Sequence, residues 1–234
     1  MEPLNHQLMG YDRAVSMFSP DGRLLQVEYA KKTVKQGSTA IGIACKDGVV
    51  LIAEKKLPSK LIVSSSVEKI FEIDSHVGVT FAGITSDARV LIERAQVKAQ
   101  NHRVTYDSSV DTLTIVKDIA DLKQYTTQSG GIRPFGVSLI IAGVDDQNKV
   151  YVTDPTGIYF QYKAVAIGEN DAKVEEYLEK NFKEDMSVQD GLKLGVAALK
   201  SASEETLTSD TVEAVVVGKT FDRVDKSEIQ KLLK

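Results

Sequence analysis

One cysteine, no tryptophan and three histidines are all that this 234-residue chain holds of those residue types. A lone cysteine, Cys45, cannot close an internal disulfide, which points to a reducing cytoplasm. With His6, His76 and His102 isolated from one another, no zinc-ligand spacing arises and no metal site is expected. A basic excess is missing as well: 29 Lys and Arg face 33 Asp and Glu, a net charge of -4. Nothing is therefore available to displace phosphate counterions, which argues against a nucleic-acid binder. The longest apolar runs, such as Val137 to Val144, fall far short of the ~20 residues a membrane-spanning helix needs. The N-terminal Met1-Glu-Pro-Leu-Asn-His-Gln has neither the basic flank nor the apolar stretch of a secretory signal. No phosphate-cradling loop is found, because Gly130-Gly131 lies between a helix and a strand rather than opening a helix after one. Asp145-Asp146 lies in a hairpin turn, where a solvated pair is a simpler reading than a catalytic dyad. Cys45 sits in an alternating apolar run, which favours packing over reactivity.

What is present describes an ordinary globular chain, 42% hydrophobic and 26% charged, of a size that one domain over residues 1–234 accommodates. Residues 1–10 are polar and without pattern, and read as a flexible tail. Ser19-Pro-Asp-Gly-Arg23 is a turn leading into an N-terminal helix over residues 22–36, with Leu24, Val27, Ala30 and Val34 on one stripe and Gly37 as its stop. Strands Thr39 to Cys45 and Val49 to Leu57 follow, joined by Asp47-Gly48, a strong hairpin signal. A second hairpin turns at Asp74-Ser75-His76. Two long helices come next: one from Asp87 with Ala88, Leu91, Ile92, Ala95 and Ala99 on one face, the other from about Asp111 to Gln128. Strands resume at Val137 to Val144, Val150 to Thr153, Gly157 to Tyr162 and Ala164 to Ile167. Helices over Asp171 to Phe182 and Ser187 to Ala202, a strand over Val212 to Gly218 and a short charged helix from about Asp225 complete the chain. Hairpins dominate, so the sheets are expected to be mainly antiparallel, and two helix pairs around two strand groups predict an α+β sandwich of four layers, αββα.

The stretch Tyr11-Asp-Arg-Ala-Val-Ser-Met-Phe-Ser-Pro-Asp-Gly-Arg-Leu-Leu-Gln-Val-Glu-Tyr-Ala30 closely resembles the N-terminal signature of proteasome α subunits. Gly37-Ser-Thr-Ala-Ile-Gly, Val67-Glu-Lys-Ile-Phe, Ser86-Asp-Ala-Arg-Val-Leu91, Gly130-Gly-Ile-Arg-Pro-Phe-Gly136 and Asp154-Pro-Thr-Gly157 extend the resemblance along nearly all of the chain. It implies the fold of the N-terminal-nucleophile hydrolases, in agreement with the layer count. The chain ends soon after its last helix without an extended acidic tail, which resembles the archaeal kind.

The resemblance also implies roles. In the related β subunits an N-terminal threonine is the nucleophile and its free amine the base. Ser38 falls near that place after Gly37, with Glu54 and Lys69 near the family's acid and lysine, so a hydrolase activated by cleavage before Ser38 is one reading. The other is a non-catalytic gating subunit, since Ser38 follows a whole helix and its nitrogen is an amide. There Lys69, with Leu24, Gly37, Gly83 and Ile84 around it, lines a pocket that takes the C-terminal carboxylate of an ATPase activator. From spacing alone a structural ion pair of Lys69 with Glu68 or Glu72 is the simpler reading. Phe81-Ala-Gly-Ile84 departs from the Ser-Gly-Leu run frequent in archaeal relatives. Tyr11, Asp12, Pro20 and Tyr29 match the cluster that holds the family's gate open, or else pack in a ring interface. Residues 1–10 are then the segment that fills or clears the axial pore. The implied partners are six further α subunits in a seven-membered ring, proteasome β subunits, the ATPase and unfolded polypeptide in transit, with no nucleic acid and no membrane. No cofactor is implied, ATP belonging to the activator. An assembly platform without proteolytic partners is a third reading.

Overall fold

The computed structural model describes residues 10–56, 59, 61–203 and 206–234. The tail expected over residues 1–10 thus lies outside the described residues save Gly10, and so does Leu57, the expected end of the second strand.

Among the described residues, ten strands form two antiparallel sheets. One holds, in spatial order, β10 (Phe221–Arg223), β9 (Val212–Val217), β2 (Gly48–Glu54), β1 (Ala40–Cys45) and β8 (Ala164–Ile167). The other holds β3 (Ile70–Asp74), β4 (Val77–Gly83), β5 (Val137–Val144), β6 (Asn148–Thr153) and β7 (Tyr159–Tyr162). Six α-helices among the described residues accompany them: α1 (Leu25–Lys35), α2 (Thr85–Tyr106), α3 (Thr112–Gln128), α4 (Asp171–Asn181), α5 (Val188–Ala202) and α6 (Lys226–Leu232).

The alternation of side chains along each strand builds the layers. Ile41, Ile43, Val50 and Ile52 point from the first sheet into one apolar cluster with Val174, Leu178, Leu192, Val196 and Leu199 of α4 and α5. Val79, Phe81, Leu139 and Ile141 point from the second sheet toward Leu91, Ile92, Ile115 and Ile119 of α2 and α3. The intervening residues, among them Ala40, Leu51, Ile140 and Val150, meet between the sheets. Four layers result, αββα, as the element order predicts. Both faces of β2 are covered, which is why Gly48–Glu54 reads as a continuous apolar run and is buried throughout.

The boundaries near the two ends of the chain differ from expectation for local reasons. Helix α1 begins at Leu25 rather than residue 22, because Gly22 has φ +73° and Leu24 is extended at φ -90°, ψ 100°. Strand β10 has no counterpart among the sequence-based expectations. It is a three-residue edge strand whose Phe221 pairs with Val217 across a tight turn, too short to leave a period in the sequence. Among the described residues, no helix is long and apolar enough to cross a membrane.

Candidate functional site

At one end of the sandwich, α1 lies against the ends of β4 and β5. The Thr33 hydroxyl donates to the carbonyls of Ala30 at 2.7 Å and Gly136 at 3.1 Å, and Ile84 N donates to the same Gly136 oxygen at 3.0 Å. Two of the expected pocket residues, Gly37 and Gly83, touch backbone to backbone here. A Cβ on Gly37 would stand 2.1 Å from Gly83 N. Gly83 itself has φ +116°, and its own Cβ would stand 2.2 Å from Gly136 O. Only glycine fits at either position.

Lys69 enters this end from the residue before β3. It is only 6% exposed. Its Nζ rests 4.0 Å from the centroid of the Phe81 ring, two residues before Gly83 on β4, and its backbone N donates to Glu213 Oε2 at 3.0 Å. Burial pushes the Lys69 amine down to about 8, with the carboxylates of Glu213 and Glu54 opposing the shift. The ring beneath the ammonium is Phe81, the first residue of the Phe81-Ala-Gly-Ile84 stretch, and the contact is a cation–π pair. Glu68, one of the two acids considered as an ion-pair partner, pairs instead with Arg223 at 3.3 Å. Leu24 sits at the start of α1, half-buried, with its carbonyl accepting from Val27 N and Glu28 N, each at 3.1 Å.

Ser38 is 9% exposed and lies inside a continuous chain after α1. Gly37 N donates to Val34 O at 3.0 Å, and Gly37 O accepts from Glu169 N at 2.7 Å. A Cβ on Gly168 would approach the Gly37 and Ser38 carbonyl oxygens to 2.7 and 2.8 Å, so the Gly37–Ser38 peptide is packed on both sides.

Of the four residues expected in the gate cluster, two meet directly. The Tyr29 hydroxyl donates to Asp12 Oδ2 over a long 3.5 Å, and Gln26 Nε2 donates to Asp12 O at 2.5 Å. Tyr11 is the half-buried neighbour of Asp12. Pro20 is exposed in a separate turn, closed by Gly22 N to Ser19 O at 2.8 Å and by Arg23 N to Ser19 Oγ at 3.2 Å.

Sequence patterns alone missed two polar anchors of this end. Asp87, at the start of α2, is 6% exposed and takes a forked pair of hydrogen bonds from Arg133 at 2.6 and 2.7 Å, plus Gly136 N at 2.9 Å. Burial works to raise its carboxyl, but these donors win and hold it below the ordinary value. Both residues stand in the family-like motifs, yet 46 residues separate them. Lys123 on α3 is fully buried and spends its three donors on Val137 O at 3.0 Å, Thr153 O at 3.1 Å and Thr153 Oγ1 at 2.9 Å. Burial pushes its amine down to about 7 against the pull of Asp154.

The paired acids Asp145 and Asp146 divide by environment. Asp145 receives Thr112 N at 3.2 Å, Thr112 Oγ1 at 3.0 Å and Lys149 Nζ at 3.1 Å, so it holds the first residue of α3, whose cap is Asp111, while Asp146 stays exposed beside Lys149. Cys45 is buried, and burial raises its thiol to about 12, far from a reactive thiolate. Among the described residues, no three His, Cys, Asp or Glu side chains converge as a metal site would require.

Two family models match the chain. Residues 11–32 match the N-terminal signature of A-type proteasome subunits, and residues 34–217 match the proteasome subunit family. Among similar proteins, the proteasome alpha subunit of Archaeoglobus fulgidus is 48% identical over 225 residues, 95% of this chain and 92% of that protein. That of Pyrococcus abyssi is 48% identical over 96% of this chain and 87% of its own length. That of Methanosarcina thermophila is 47% identical over 94% and 91%.

Proposed function

This chain belongs to the proteasome subunit family and is a component of that particle, and we propose that it is the non-catalytic α-type subunit of a 20S core. It forms an outer seven-membered ring, stacks on a ring of β subunits, and admits unfolded polypeptide when an ATPase docks its C-terminal tail at Lys69. The setting is the cytoplasm, and no cofactor is needed in this chain.

The observation that carries the reading is the packing around Ser38. A nucleophile of the N-terminal kind needs a free α-amine to take its proton, and an amide nitrogen cannot. The Gly37–Ser38 peptide is held from one side by α1 and from the other by Glu169 N, with Gly168 pressed against both carbonyl oxygens. A processing protease would have to undo that packing to release an amine.

The docking role of Lys69 draws support from what its ammonium touches. Its ammonium rests on an aromatic face, which supplies no hydrogen-bond acceptor, while the fields of Glu213 and Glu54 favour its charge. An incoming carboxylate would supply the counter-charge and hydrogen-bond acceptors that a ring cannot.

Intact-mass spectrometry of the chain after assembly with β subunits tests the non-catalytic reading. All 234 residues are expected to remain. A species that begins at Ser38 would make the chain a hydrolase in its own right and overturn it.

A further inference from the structure

Three consecutive residues at the entrance to β3 are gripped from the other sheet by one ion pair. Glu213 on β9 and Arg223 on β10 bond to each other through Oε1 and Nη1. The second Glu213 oxygen, Oε2, accepts from the backbone N of Lys69 at 3.0 Å. The second terminal nitrogen of Arg223, Nη2, donates to Ile70 O at 3.2 Å and pairs with Glu68 Oε1 at 3.3 Å. Its guanidinium lies 5.6 Å from the centroid of the Phe221 ring. Residues 68, 69 and 70 are thus fixed in turn, and none of these bonds ends on the Lys69 ammonium. The Glu213 side chain is only 10% exposed. With its oxygens engaged on Arg223 and on the Lys69 backbone, its carboxylate acts on the ammonium through its field, which carries further in so sheltered a place than in water. Glu54 on β2 is the other carboxylate whose field reaches Lys69.

We propose that Glu213 and Arg223 are positioning residues for the docking of a chain-terminal carboxylate on Lys69. Arg223 fixes where the lysine stands by holding the residues on either side of it. Glu213 holds the lysine's own backbone, and its charge supports the ammonium against the burial that lowers the amine to about 8. The same negative charge repels an incoming carboxylate, so Glu213 helps docking only where the ammonium would otherwise lose its proton. That sign makes the role testable. Without the Glu213 charge, docking should hold at low pH and fail earlier as pH rises.

The inference rests on the docking role of Lys69, and one titration separates the two. A peptide copying the C-terminal tail of the activating ATPase, dye-labelled at its N-terminus, is followed by anisotropy on the assembled particle from about pH 6 to about pH 9. The wild type is expected to bind the free carboxylate and not the C-terminal amide, with affinity falling past about pH 8. In Glu213→Gln the fall should come roughly one pH unit lower, with the affinity at pH 6 kept. In Arg223→Met the fall should stay in place while affinity drops roughly tenfold at every pH. A Glu213→Gln profile that superimposes on the wild type, or lies below it equally at every pH, would overturn the inference and leave docking standing. Wild-type affinity in Arg223→Met would overturn it as well, and that variant decides alone should Glu213→Gln fail to assemble. Equal binding of carboxylate and amide, or full binding by Lys69→Ala, would overturn the docking reading itself and the inference with it.

Discussion

Two buried lysines show how the same residue type takes opposite roles. Lys123 saturates its three donors on protein oxygens, whereas Lys69 leans on a ring. For Lys69 the proposed consequence is functional. Lys69→Ala is expected to abolish activator-stimulated protein degradation while the assembled particle still cleaves small peptides. Equal stimulation in wild type and variant would sink the pocket assignment. Because the Lys69 amine is lowered to about 8, carboxylate docking should weaken as pH rises past that value, where the ammonium is lost. The consequence for Lys123 is one of stability. Between about 7 and the ordinary 10.5, the unfolded chain holds a proton that the folded chain has released. Raising pH through that window therefore favours the fold, by up to ~1.4 kcal/mol per pH unit from this group. Urea unfolding from pH 6.5 upward should show that increment in the wild type and not in Lys123→Met. Parallel pH profiles of the two proteins would refute it.

At the scale of elements, periodicity carried most of the fold. The stripe of α2 and the uninterrupted run of β5 could be read directly, and Ser187, where the next-to-last helix was expected to start, is the cap of α5, its Oγ accepting from Asp190 N at 3.2 Å. What stayed hidden has a common physical cause: contact between residues far apart in the chain. The fork between Asp87 and Arg133 and the triple anchor of Lys123 leave no period. Gly37 shows in sequence as a helix stop, yet its reason for being glycine is the backbone of Gly83. The candidate site was legible only through the family likeness, and spacing alone pointed Lys69 toward Glu68, which Arg223 takes. Helix α1 was visible by its stripe, and its buried Val27, Ala30 and Val34 fasten the segment that follows the N-terminal tail. Deleting residues 1–10 should leave assembly intact and raise the basal rate of peptide hydrolysis by the particle. An unchanged basal rate would count against a gating tail.

At the scale of the whole molecule, three apolar clusters among the described residues hold four layers together, and Phe160 on the edge strand β7 stays 55% exposed. The cross-strand row that starts at the buried Ile70 ends on that residue. In the proposed ring, neighbouring subunits cover surface that a single folded chain exposes, so unfolding of the assembly is coupled to its dissociation. Mass action then ties thermal stability to concentration. Each tenfold rise in protein concentration should stabilise the assembled state by up to ~1.4 kcal/mol per copy. In a domain of this size that corresponds to roughly 2–4 °C in Tm for each kcal/mol. The dependence survives even when the ring is fully formed at every concentration, since the unfolded product is always single chains. Calorimetric scans over a hundredfold range of concentration should thus show Tm climbing for the wild type and level for Phe160→Asp. A level Tm in the wild type would mean that this edge is covered by nothing, and the ring would lose its physical reason in the fold.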